Sequence, residues 1–582
     1  MTERAFLNVE TSLTGRRWVG PSLEEDRLAE AMAQQTRLPL ALCLTLVKRG
    51  VAPAEAATYL APALRDLLPD PLRLKDMGLA AARFLRAVKD GQRIAVFADY
   101  DVDGGSSAAL LILWLRTMGR DATLYIPDRI DEGYGPNVPA MAALAAVHDL
   151  IICVDCGTLS FEPIAAAALA ADVVVLDHHL GGDVLPPALA VVNPNRQDED
   201  GSLAHLCAAS VVFLMLVEAN RQLRGDGIAG PDLMALLDLV ALATVADVAP
   251  LIGVNRALVR QGLKVMARRE RIGLKALADV ARMDTAPTCY ALGFLLGPRV
   301  NAGGRIGAAD LGARLLCCTD EHEARALAER LDELNTERRE IEMRVRDAAL
   351  EQASARGLDG PLVWAAGEGW HPGVVGIVAA RLKEATNRPA VVIGLDGGEG
   401  KGSGRSVHGV DLGAAIHRVA AEGLLIKGGG HKMAAGLTVA RDKLDAAMAR
   451  LGDLLARQGA GVGGPADLKL DGLLMPGAAT HRLVEQLEEA GPFGAGSPAP
   501  RFAFAGMAVT ARRMGETHLR LNFGDGMGPK LDALAFGAFD GPLGPALSQG
   551  GHQRFHLAGR LELNTWNGRT TVQLRLEDAA PA

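Results

Sequence analysis

The chain has 582 residues, of which 49% are hydrophobic and 22% charged, and its formal net charge is −8. A chain of this length exceeds a single hydrophobic core and predicts three or four globular domains. The charge excludes a surface that is basic throughout, although an acidic centre inside a local basic rim is still compatible with binding of nucleic acid. The sequence contains no apolar run of the length that a membrane span requires, so we expect no membrane contact.

The cysteines are scattered and odd in number, which predicts a reducing compartment without a disulfide framework. The N-terminus lacks the basic-then-apolar order of a signal peptide, and we therefore expect a cytoplasmic protein, acting as a monomer. Cys153 and Cys156 form a C-x-x-C pair within a strand-like run. No second pair follows, so buried thiols are favoured over zinc or redox chemistry.

Residues 1–90 carry helical spacing punctuated by Gly and Pro, and predict an N-terminal helical cap on the domain that follows. Residues 91–318 then alternate strand-like and helix-like runs, which predicts an open, mostly parallel sheet covered by helices. The predicted strands are Arg93 to Phe97, Ala122 to Ile126, Leu150 to Val154 and Asp172 to Leu176.

Polar side chains follow each of these four strands. They are Asp99, Asp101 and Asp103 after the first, Arg129 after the second, Asp155 after the third, and Asp177-His178-His179 after the fourth. Open α/β sheets bind ligands at the carboxyl ends of their strands. We therefore expect these groups to share one edge.

The alternating carboxylates Asp99, Asp101 and Asp103 repel one another and predict a nearby cation. Carboxylate oxygen suits Mg²⁺ and Mn²⁺. An EF-hand would place a glutamate at the twelfth position, which is Leu110 here, and a strand precedes the loop. A solvated acidic turn is the other alternative.

Two later segments extend the predicted site. Asp247 follows a helical stretch from Pro231 to Val245, as either a solvated cap or a ligand aimed at the sheet edge, and the four strand ends favour the ligand. The segment Gly297 to Arg305 predicts a glycine-rich turn, and arginine matches phosphate geometry.

The second half of the chain predicts a connecting helix over 319–357, a second α/β lobe over 358–460 and a small β-barrel over 465–582. Glycine-rich segments Gly402 to Ser406 and Lys427 to His431 predict loops that capture phosphates. In the barrel, a charged groove with stacking faces is predicted, and a purely structural barrel is the alternative. The groove residues are Arg512, Arg513, Arg520, Arg569, Arg575, Phe523, Phe555 and Trp566.

Nine segments carry a family resemblance: DYDVDG, VDCGT, DHH, ADVAPL, GPRVNAGGR, GWHPGVVGIVAARL, GSGRS, GGGHKMAAG and GPFGAGSPAPRF. In this order the chain resembles the DHH phosphoesterase superfamily and, within it, the exonucleases specific for single-stranded DNA. The resemblance covers nearly the whole chain. It implies an α/β fold in which a DHH-type parallel-sheet lobe is joined by a long helix to a second, DHH-associated α/β lobe, followed by a small barrel of the oligonucleotide-binding (OB) type.

The resemblance also implies two Mn²⁺ or Mg²⁺ ions. It assigns Asp101, Asp103, Asp155, His178 and Asp247 as ligands, with Asp155 as the bridge, and Asp99 and His179 as supports that are able to ligate. It assigns the binding of substrate phosphates to Arg129, Arg299, Asn301, Arg305, Ser403, Arg405 and His431. Cys156 stands where relatives often carry Asn, and Phe97 where some carry a metal-binding His.

The activity implied is stepwise hydrolysis of single-stranded DNA from its 5′ end to 5′-mononucleotides, in DNA repair and recombination. Family membership suggests cooperation with a helicase and a single-strand-binding protein. One alternative is a phosphoesterase for short oligonucleotides or other small phosphodiesters, which would need neither the N-terminal helices nor a barrel. A non-catalytic binding factor is the other, and the intact ligand set argues against it.

Overall fold

The computed structural model describes residues 4–128, 132–461, 467–566 and 568–582. The chain divides into two compact units, one made of Leu64–Gly461 with Gly494–Gly496 and the other of the segments before and after. Within the described ranges, the helices are all too short or too polar to cross a membrane. Short 3₁₀ turns lie at Phe6–Asn8, Pro53–Glu55, Pro71–Arg73, Met234–Leu236, Arg441–Lys443, Pro476–Ala478 and Ala538–Asp540.

The N-terminal segment holds one short strand and three helices. They are β1 (Trp18–Val19), α1 (Leu23–Thr36), α2 (Leu40–Val47) and α3 (Ala56–Leu60). Helix α1 begins at a capping box in which the Ser22 hydroxyl accepts from the Glu25 amide and the Glu25 carboxylate accepts from the Ser22 amide.

The first lobe of the larger unit is an α/β layer structure. Its strands are β2 (Ile94–Ala98), β3 (Thr123–Tyr125), β4 (Leu150–Val154), β5 (Asp172–Leu176) and β6 (Ala190–Val192). Its helices are α4 (Leu64–Leu67), α5 (Met77–Asp90), α6 (Val102–Thr117), α7 (Val138–Ala145), α8 (Phe161–Ala167), α9 (Ala208–Gly225), α10 (Leu237–Ala246), α11 (Gly253–Met266), α12 (Ile272–Val280), α13 (Cys289–Ala291), α14 (Gly297–Ile306) and α15 (Leu311–Cys317). A π-helical turn, Leu292–Leu296, precedes α14.

All five strands are parallel, in the order β3-β2-β4-β5-β6. Alternate residues of β2 and β4 enter two different cores, with Val96 and Ile152 on one face and Phe97 and Cys153 on the other. The chain leaves β2 toward β3 on one side and returns to β4 on the other. The strand order therefore reverses between β2 and β4, and this is the switch point at which such sheets bind ligands.

Helix α16 (Glu321–Arg356) leads to the second lobe and matches the predicted connecting helix within a residue or two. The expectation of a glycine-rich turn over 297–305 was wrong, because these residues form helix α14. Pro298 lies in the first helical turn, where its missing N–H is tolerated. A methyl group on Gly304 would lie 2.6–2.8 Å from the Tyr100 ring, so glycine permits close packing here.

The second lobe contains a five-stranded sheet in the order β10-β11-β9-β8-β7. Its elements are β7 (Val363–Glu368), α17 (Pro372–Thr386), β8 (Ala390–Asp396), β9 (Glu399–Arg405), α18 (Leu412–Ala421), β10 (Lys427–Gly430), β11 (Ala434–Ala440) and α19 (Leu444–Ala456). Residues 402–405 and 427–430 were predicted as loops, but they are strands. A Cβ on Gly402 would lie 2.7 Å from Ile393, so this glycine marks tight packing beneath a strand.

The C-terminal part of the smaller unit is a barrel. Its elements are β12 (Leu468–Lys469), β13 (Gly472–Leu473), α20 (His481–Glu489), β14 (Phe502–Met514), β15 (His518–Gly524), β16 (Leu531–Ala535), α21 (Leu543–Gln549), β17 (Arg554–Trp566) and β18 (Arg569–Pro581). The sheet runs β13-β14-β15-β16-β18-β17, and pairing of β14 with β17 closes it. These strands lie within residues 465–582, where five short strands, Arg501 to Thr510, His518 to Phe523, Leu531 to Phe536, Phe555 to Asn564 and Thr570 to Glu577, are predicted from the sequence.

The N-terminal residues up to Ala63 belong to the compact unit that contains the barrel, whereas residues 1–90 were predicted as a single cap on the parallel-sheet lobe. Met32 and Leu42 share a core with Phe502 and Phe504 of the barrel. Strand β1 pairs with β12, and the Trp18 indole donates to the Asp578 carboxylate at 2.9 Å. The later part of the predicted cap, including α5, shares a core with the parallel sheet.

Candidate metal centre and substrate-binding groups

The loop after β2 turns directly into α6, with Asp101 as the helix N-cap. Its Oδ1 accepts from the amides of Asp103 at 2.8 Å and Gly104 at 3.1 Å. A Cβ on Gly104 would overlap the Asp99 carbonyl oxygen, so the loop folds back on itself as only glycine allows. The turn keeps three carboxylates at one strand end.

Asp155 follows β4 in the left-handed region, with φ of 59°. Its side chain is buried, and Oδ1 accepts no hydrogen bond but lies 3.3 Å from His178 Nε2. Asp is one of the few non-glycine residues that tolerate this backbone conformation. A buried carboxylate oxygen without a donor fits coordination of a cation.

The Asp177-His178-His179 turn after β5 is held by its first residue. Asp177 Oδ1 accepts from the backbone amides of His178 and His179 at 2.8 and 3.2 Å and lies 2.8 Å from His179 Nδ1, while Oδ2 accepts from the Thr158 amide at 3.0 Å. With its oxygens engaged in this way, Asp177 orients the two imidazoles.

Two asparagines after β6 hold the same turn from the other side. Asn193 donates to the His179 carbonyl at 2.7 Å, and Asn195 donates to the His178 carbonyl at 2.6 Å. Sequence reasoning missed both. The sequence feature that could have indicated them is the presence of two asparagine side chains in Asn193-Pro194-Asn195 directly after a strand.

His178 stands at the centre of the acidic cluster. Its Nε2 lies 3.3 Å from Asp155 Oδ1 and 3.7 Å from Asp103 Oδ2, and its Nδ1 lies 3.9 Å from Asp247 Oδ2. These residues were predicted from separate segments, and the structure brings them together.

Three sets of side chains have one potential ligand atom each, all within 4.8 Å of one another. They are Asp155, His178 and His179; Asp103, His178 and Asp247; and Asp99, Asp101 and Asp155. Together these sets contain every residue that was predicted as a ligand or a support. Because Asp155 and His178 each belong to two sets, the arrangement can hold more than one hard divalent cation.

Helix ends surround this cluster with opposite effects. Asp103 accepts from the amides of Ala208 and Ala209 at 2.7 and 2.8 Å, at the N-terminus of α9, where a negative charge is stabilised. Asp247 is the C-cap of α10, where the helix dipole disfavours a negative charge. Asp247 therefore depends on an added cation more than Asp103 does.

Burial raises the pKa of several carboxyl groups here. For Asp155, burial and then the neighbouring Asp101 and Asp103 carboxylates raise the pKa well above its ordinary value. Burial followed by the Asp103 and Asp101 charges raises the pKa of Asp247 to about 8. Without a cation, the cluster therefore retains protons near neutral pH.

His179 and Asp177 show the opposite behaviour and form an internal ion pair. Burial opposes charge on the imidazole, but the hydrogen bond and charge of Asp177 raise the pKa of His179 to about 9. Burial likewise opposes charge on Asp177, but bonding from His179 and Thr158 lowers its pKa. This pair forms without a metal, and Asp177 thereby fixes the orientation of the His179 imidazole.

Tyr134, in the segment between β3 and α7, was also missed. Its hydroxyl donates to the Asp155 carbonyl at 3.3 Å and lies 3.2 Å from His179 Nε2. The ring remains 56% exposed. Its glycine-flanked position gave no periodic signal that would have placed it over the DHH turn.

The predicted phosphate-binding residues of the first lobe have different surroundings. Arg129 lies outside the described residues. Arg299 pairs with Asp332 of α16 at 2.8 Å, and Asn301 accepts from the Val102 amide at 3.0 Å, which steadies the acidic loop. Arg305 donates to the Gly373 carbonyl at 3.0 Å and thereby joins the two lobes. Substrate binding by these residues stays a prediction.

In the second lobe, the Arg405 guanidinium donates to Ser403 Oγ at 2.9 Å. Both side chains face α17, since a Cβ on Gly376 would lie 3.1 Å from each. His431 is exposed in the turn between β10 and β11. Ser403 and Arg405 therefore form one polar pair beside the first turns of a helix, a position that suits an anion.

The barrel presents a row of arginines on its outer face. Strand register aligns Arg512, Arg520, Leu534 and Arg575 on four consecutive strands. Phe523 and Phe555, predicted as stacking faces, are instead buried in the core because their strand positions point inward. Phe536 is 51% exposed, with the Arg575 guanidinium 5.2 Å from its ring centroid.

A parallel sheet with carboxylates at its switch point and a buttressed Asp-His-His turn defines a DHH-type phosphoesterase lobe. Family models agree: residues 93–244 match the DHH family N-terminal domain, 359–457 the DHHA1 domain and 470–578 the RecJ OB domain.

The chain is 39% identical over 570 residues to the single-stranded-DNA-specific exonuclease RecJ of Dickeya dadantii, covering 94% of this chain and 96% of that protein. It belongs to the RecJ family.

Two crystal structures of RecJ from Thermus thermophilus are similar throughout. The complex with Mn²⁺ gives a TM-score of 0.80 at 31% identity, covering 97% of this chain and 79% of that one. The complex with Mg²⁺ gives a TM-score of 0.74 at 30% sequence identity, covering 97% of this chain and 78% of that one. These neighbours carry the two metals that were predicted here, and the acidic and imidazole groups described above are able to hold them.

Proposed function

We propose that this protein is a metal-dependent exonuclease that hydrolyses single-stranded DNA from its 5′ end and releases 5′-mononucleotides. The observation that carries the proposal is the convergence of Asp103, Asp155 and Asp247 on His178 at the switch point of the sheet, in a chain of the RecJ family. No single motif brings these segments together; the fold does.

Two Mn²⁺ or Mg²⁺ ions would be held by Asp99, Asp101, Asp103, Asp155, His178 and Asp247, with Asp155 proposed as the shared ligand. The unpartnered Asp155 Oδ1 supports this assignment. Such ions, when bound, polarise the phosphodiester and lower the pKa of the attacking water. The chain's own contribution is to fix the carboxylates through helix N-terminal amides and the imidazoles through Asp177.

His179 is proposed as a catalytic residue. Its Nδ1 lies 2.8 Å from Asp177 Oδ1, which fixes the imidazole beside the acidic cluster. An imidazole held there would support the developing charge on a phosphoryl oxygen. Tyr134 limits its motion.

Phosphate binding is proposed for Ser403, Arg405 and His431 of the second lobe, for Arg305 at the junction between lobes, and for Arg299 and Asn301 of α14. It is proposed for Arg129 from the sequence alone. In support, Arg405 and Ser403 share one contact and lie next to the start of α17. Guanidinium matches phosphate oxygens bidentately.

The barrel is proposed to bind the strand through Arg512, Arg520 and Arg575, with Phe536 as a stacking face. Exposed cations next to an exposed aromatic ring suit unpaired bases and a phosphate backbone without sequence preference. Only the exposed face takes part, because Phe523 and Phe555 belong to the core.

The deciding experiment digests one oligonucleotide labelled at either end, single-stranded or duplex, with Mn²⁺ or with chelator. We expect the 5′ label to be released as a mononucleotide from the single strand only, and no release with chelator. Release from the 3′ end, or digestion of blunt duplex, would contradict the proposal. A 5′-phosphorylated dinucleotide tests the small-phosphodiester alternative, which its preferential cleavage would establish.

We further propose a cytoplasmic enzyme in DNA repair and recombination, acting with a helicase and a single-strand-binding protein. The seven free cysteines support a reducing compartment. Co-purification with tagged protein tests the partners, and recovery in a periplasmic fraction would contradict the compartment.

A further inference from the structure

The sheet of the second lobe has one face that is only partly covered. Gly402 and Leu437 point to the core, with Ile393, so the neighbouring residues of β9 and β11 point to the opposite face. On that face α17 covers Ala390 and Val392 of β8. The helix stops short of β11 and of the edge strand β10. On β11, Gly436 is exposed, and an added Cβ would meet only the Gly402 carbonyl oxygen, at 3.9 Å.

Two lysines lie in one row across this open face. Lys401 pairs with Thr438, and Thr438 pairs with Lys427, so the three side chains project together from β9, β11 and β10. Both lysines are exposed. Among the described residues, neither has a carboxylate within the 4.0 Å of an ion pair, so the row has uncompensated positive charge.

The row lies beside the Ser403–Arg405 pair. Lys401 precedes Ser403 by two residues on the same strand and the same face, which places their backbones about 7 Å apart. The adjacent row contains Ser403, Gly436 and Gly429. An added Cβ on Gly429 would lie 3.4 Å from the His417 ring, so the open floor of this row is at Gly436. Glu399, two residues further along β9, ends the positive stretch.

We propose that Lys401, Thr438 and Lys427 form a binding site for the outer phosphates of a 5′-polyphosphorylated strand. This rests on the proposed function, in which Ser403 and Arg405 hold the 5′-terminal phosphate. A diphosphate or triphosphate end extends from that position over the glycine floor to the lysines. Ammonium groups on flexible stems act there as point charges, and Thr438 supplies a hydroxyl. The enzyme thus accepts ends that carry more than one phosphate.

The test compares single strands bearing a 5′-monophosphate or a 5′-triphosphate. In Lys401→Ala/Lys427→Ala we expect kcat/KM for the triphosphate end to fall about tenfold, while that for the monophosphate end changes less than about twofold. Lys401→Arg/Lys427→Arg retains the charge and should retain the wild-type ratio. Lys264→Ala/Lys383→Ala removes two lysines elsewhere in the same unit and should leave the ratio unchanged.

Equal losses for both ends would overturn the proposal, since they indicate contacts with the body of the strand. An unchanged ratio would overturn it as well. A binding measurement separates it from the proposed function: inorganic tripolyphosphate, titrated without divalent ions, should bind the double alanine variant about tenfold more weakly than the wild type. Equal binding would refute the site even if the enzyme degrades DNA, and a wild type that cleaves no strand would refute only the proposed function.

Discussion

The parallel sheet of the first lobe and the barrel sheet use charge in opposite ways. In the lobe, carboxylates stand at strand ends, buried and without full compensation. In the barrel, arginines stand in mid-strand on the exposed face. Buried charges act at short range, whereas exposed charges are screened by salt. In the proposed function, the buried carboxylates govern the reaction and the exposed arginines govern capture of the strand. Substitutions in the two regions should therefore change different kinetic constants.

The largest effect is expected for Asp155→Asn. Asparagine tolerates the left-handed backbone at this position, so the variant removes a charge without adding strain. We expect kcat to fall at least about 10³-fold, because loss of the bridging ligand removes several kcal/mol of stabilisation. Steady-state kinetics on a single strand measures this. Asp183→Asn, at an exposed site in the same lobe, is the control. A kcat of Asp155→Asn close to that of the wild type would contradict the assignment of the reaction to the buried carboxylates.

Metal removal should make stability depend on pH. The pKa of Asp247 is about 8 in the folded, metal-free protein and about 4 when unfolded. Between these values the folded state binds more protons, so the stability of the metal-free enzyme falls as pH rises. Manganese competes with those protons, and its stabilising effect should grow over the same range. Thermal unfolding with Mn²⁺ or chelator at about pH 6 and about pH 8 measures both trends. Asp247→Asn should flatten them, and a pH-independent metal effect would contradict the assignment.

The barrel row should show a salt-dependent effect on KM. For Arg520→Ala/Arg575→Ala we expect the magnitude of the slope of log binding constant against log salt concentration to decrease by about 1.4, because two phosphate contacts are lost. At about 0.1 M salt this corresponds to about 25-fold weaker binding of the single strand. The kcat on a dinucleotide should be unchanged. Arg27→Ala/Arg482→Ala, also in the barrel-containing unit, is the matched control. A loss of kcat on the dinucleotide would show that the two regions are not separate in function.

The smallest effect is expected for Tyr134→Phe. The ring remains, but the hydroxyl contacts to Asp155 and His179 are lost. One hydrogen bond of about 1 kcal/mol corresponds to about a fivefold decrease in kcat. Tyr290→Phe, at another exposed tyrosine, is the control. If KM alone rose, Tyr134 would contact the strand rather than orient the metal centre.

The first-lobe site was largely predictable because strand ends converge by rule. Buried β-branched runs fixed the strands, and the residues that follow parallel strands must share an edge. Asp247 came from a helix end, and the structure places its carboxylate 3.9 Å from His178. Asn193 and Tyr134 were not predictable, because their contacts depend on how loops fold rather than on periodicity.

Glycine was the main source of error. Gly297 to Arg305 and Gly402 to Ser406 looked like loops, but they include a helix and a strand in which glycine allows close packing against bulky neighbours. Likewise, the helices before Ala63 were predicted as part of a cap on the parallel-sheet lobe, but they belong to the same compact unit as the barrel. Their apolar faces were visible in the sequence, but which core they enter depends on strands more than 400 residues away.

The contact between Arg305 and Gly373 has a consequence for product length. A Cβ on Gly373 would overlap the Arg305 carbonyl oxygen, so the two lobes meet main chain against main chain. In the proposed function, the distance between the metal centre and the Ser403–Arg405 pair would determine how many nucleotides are released at each step. This close main-chain contact would keep that distance fixed in the free enzyme.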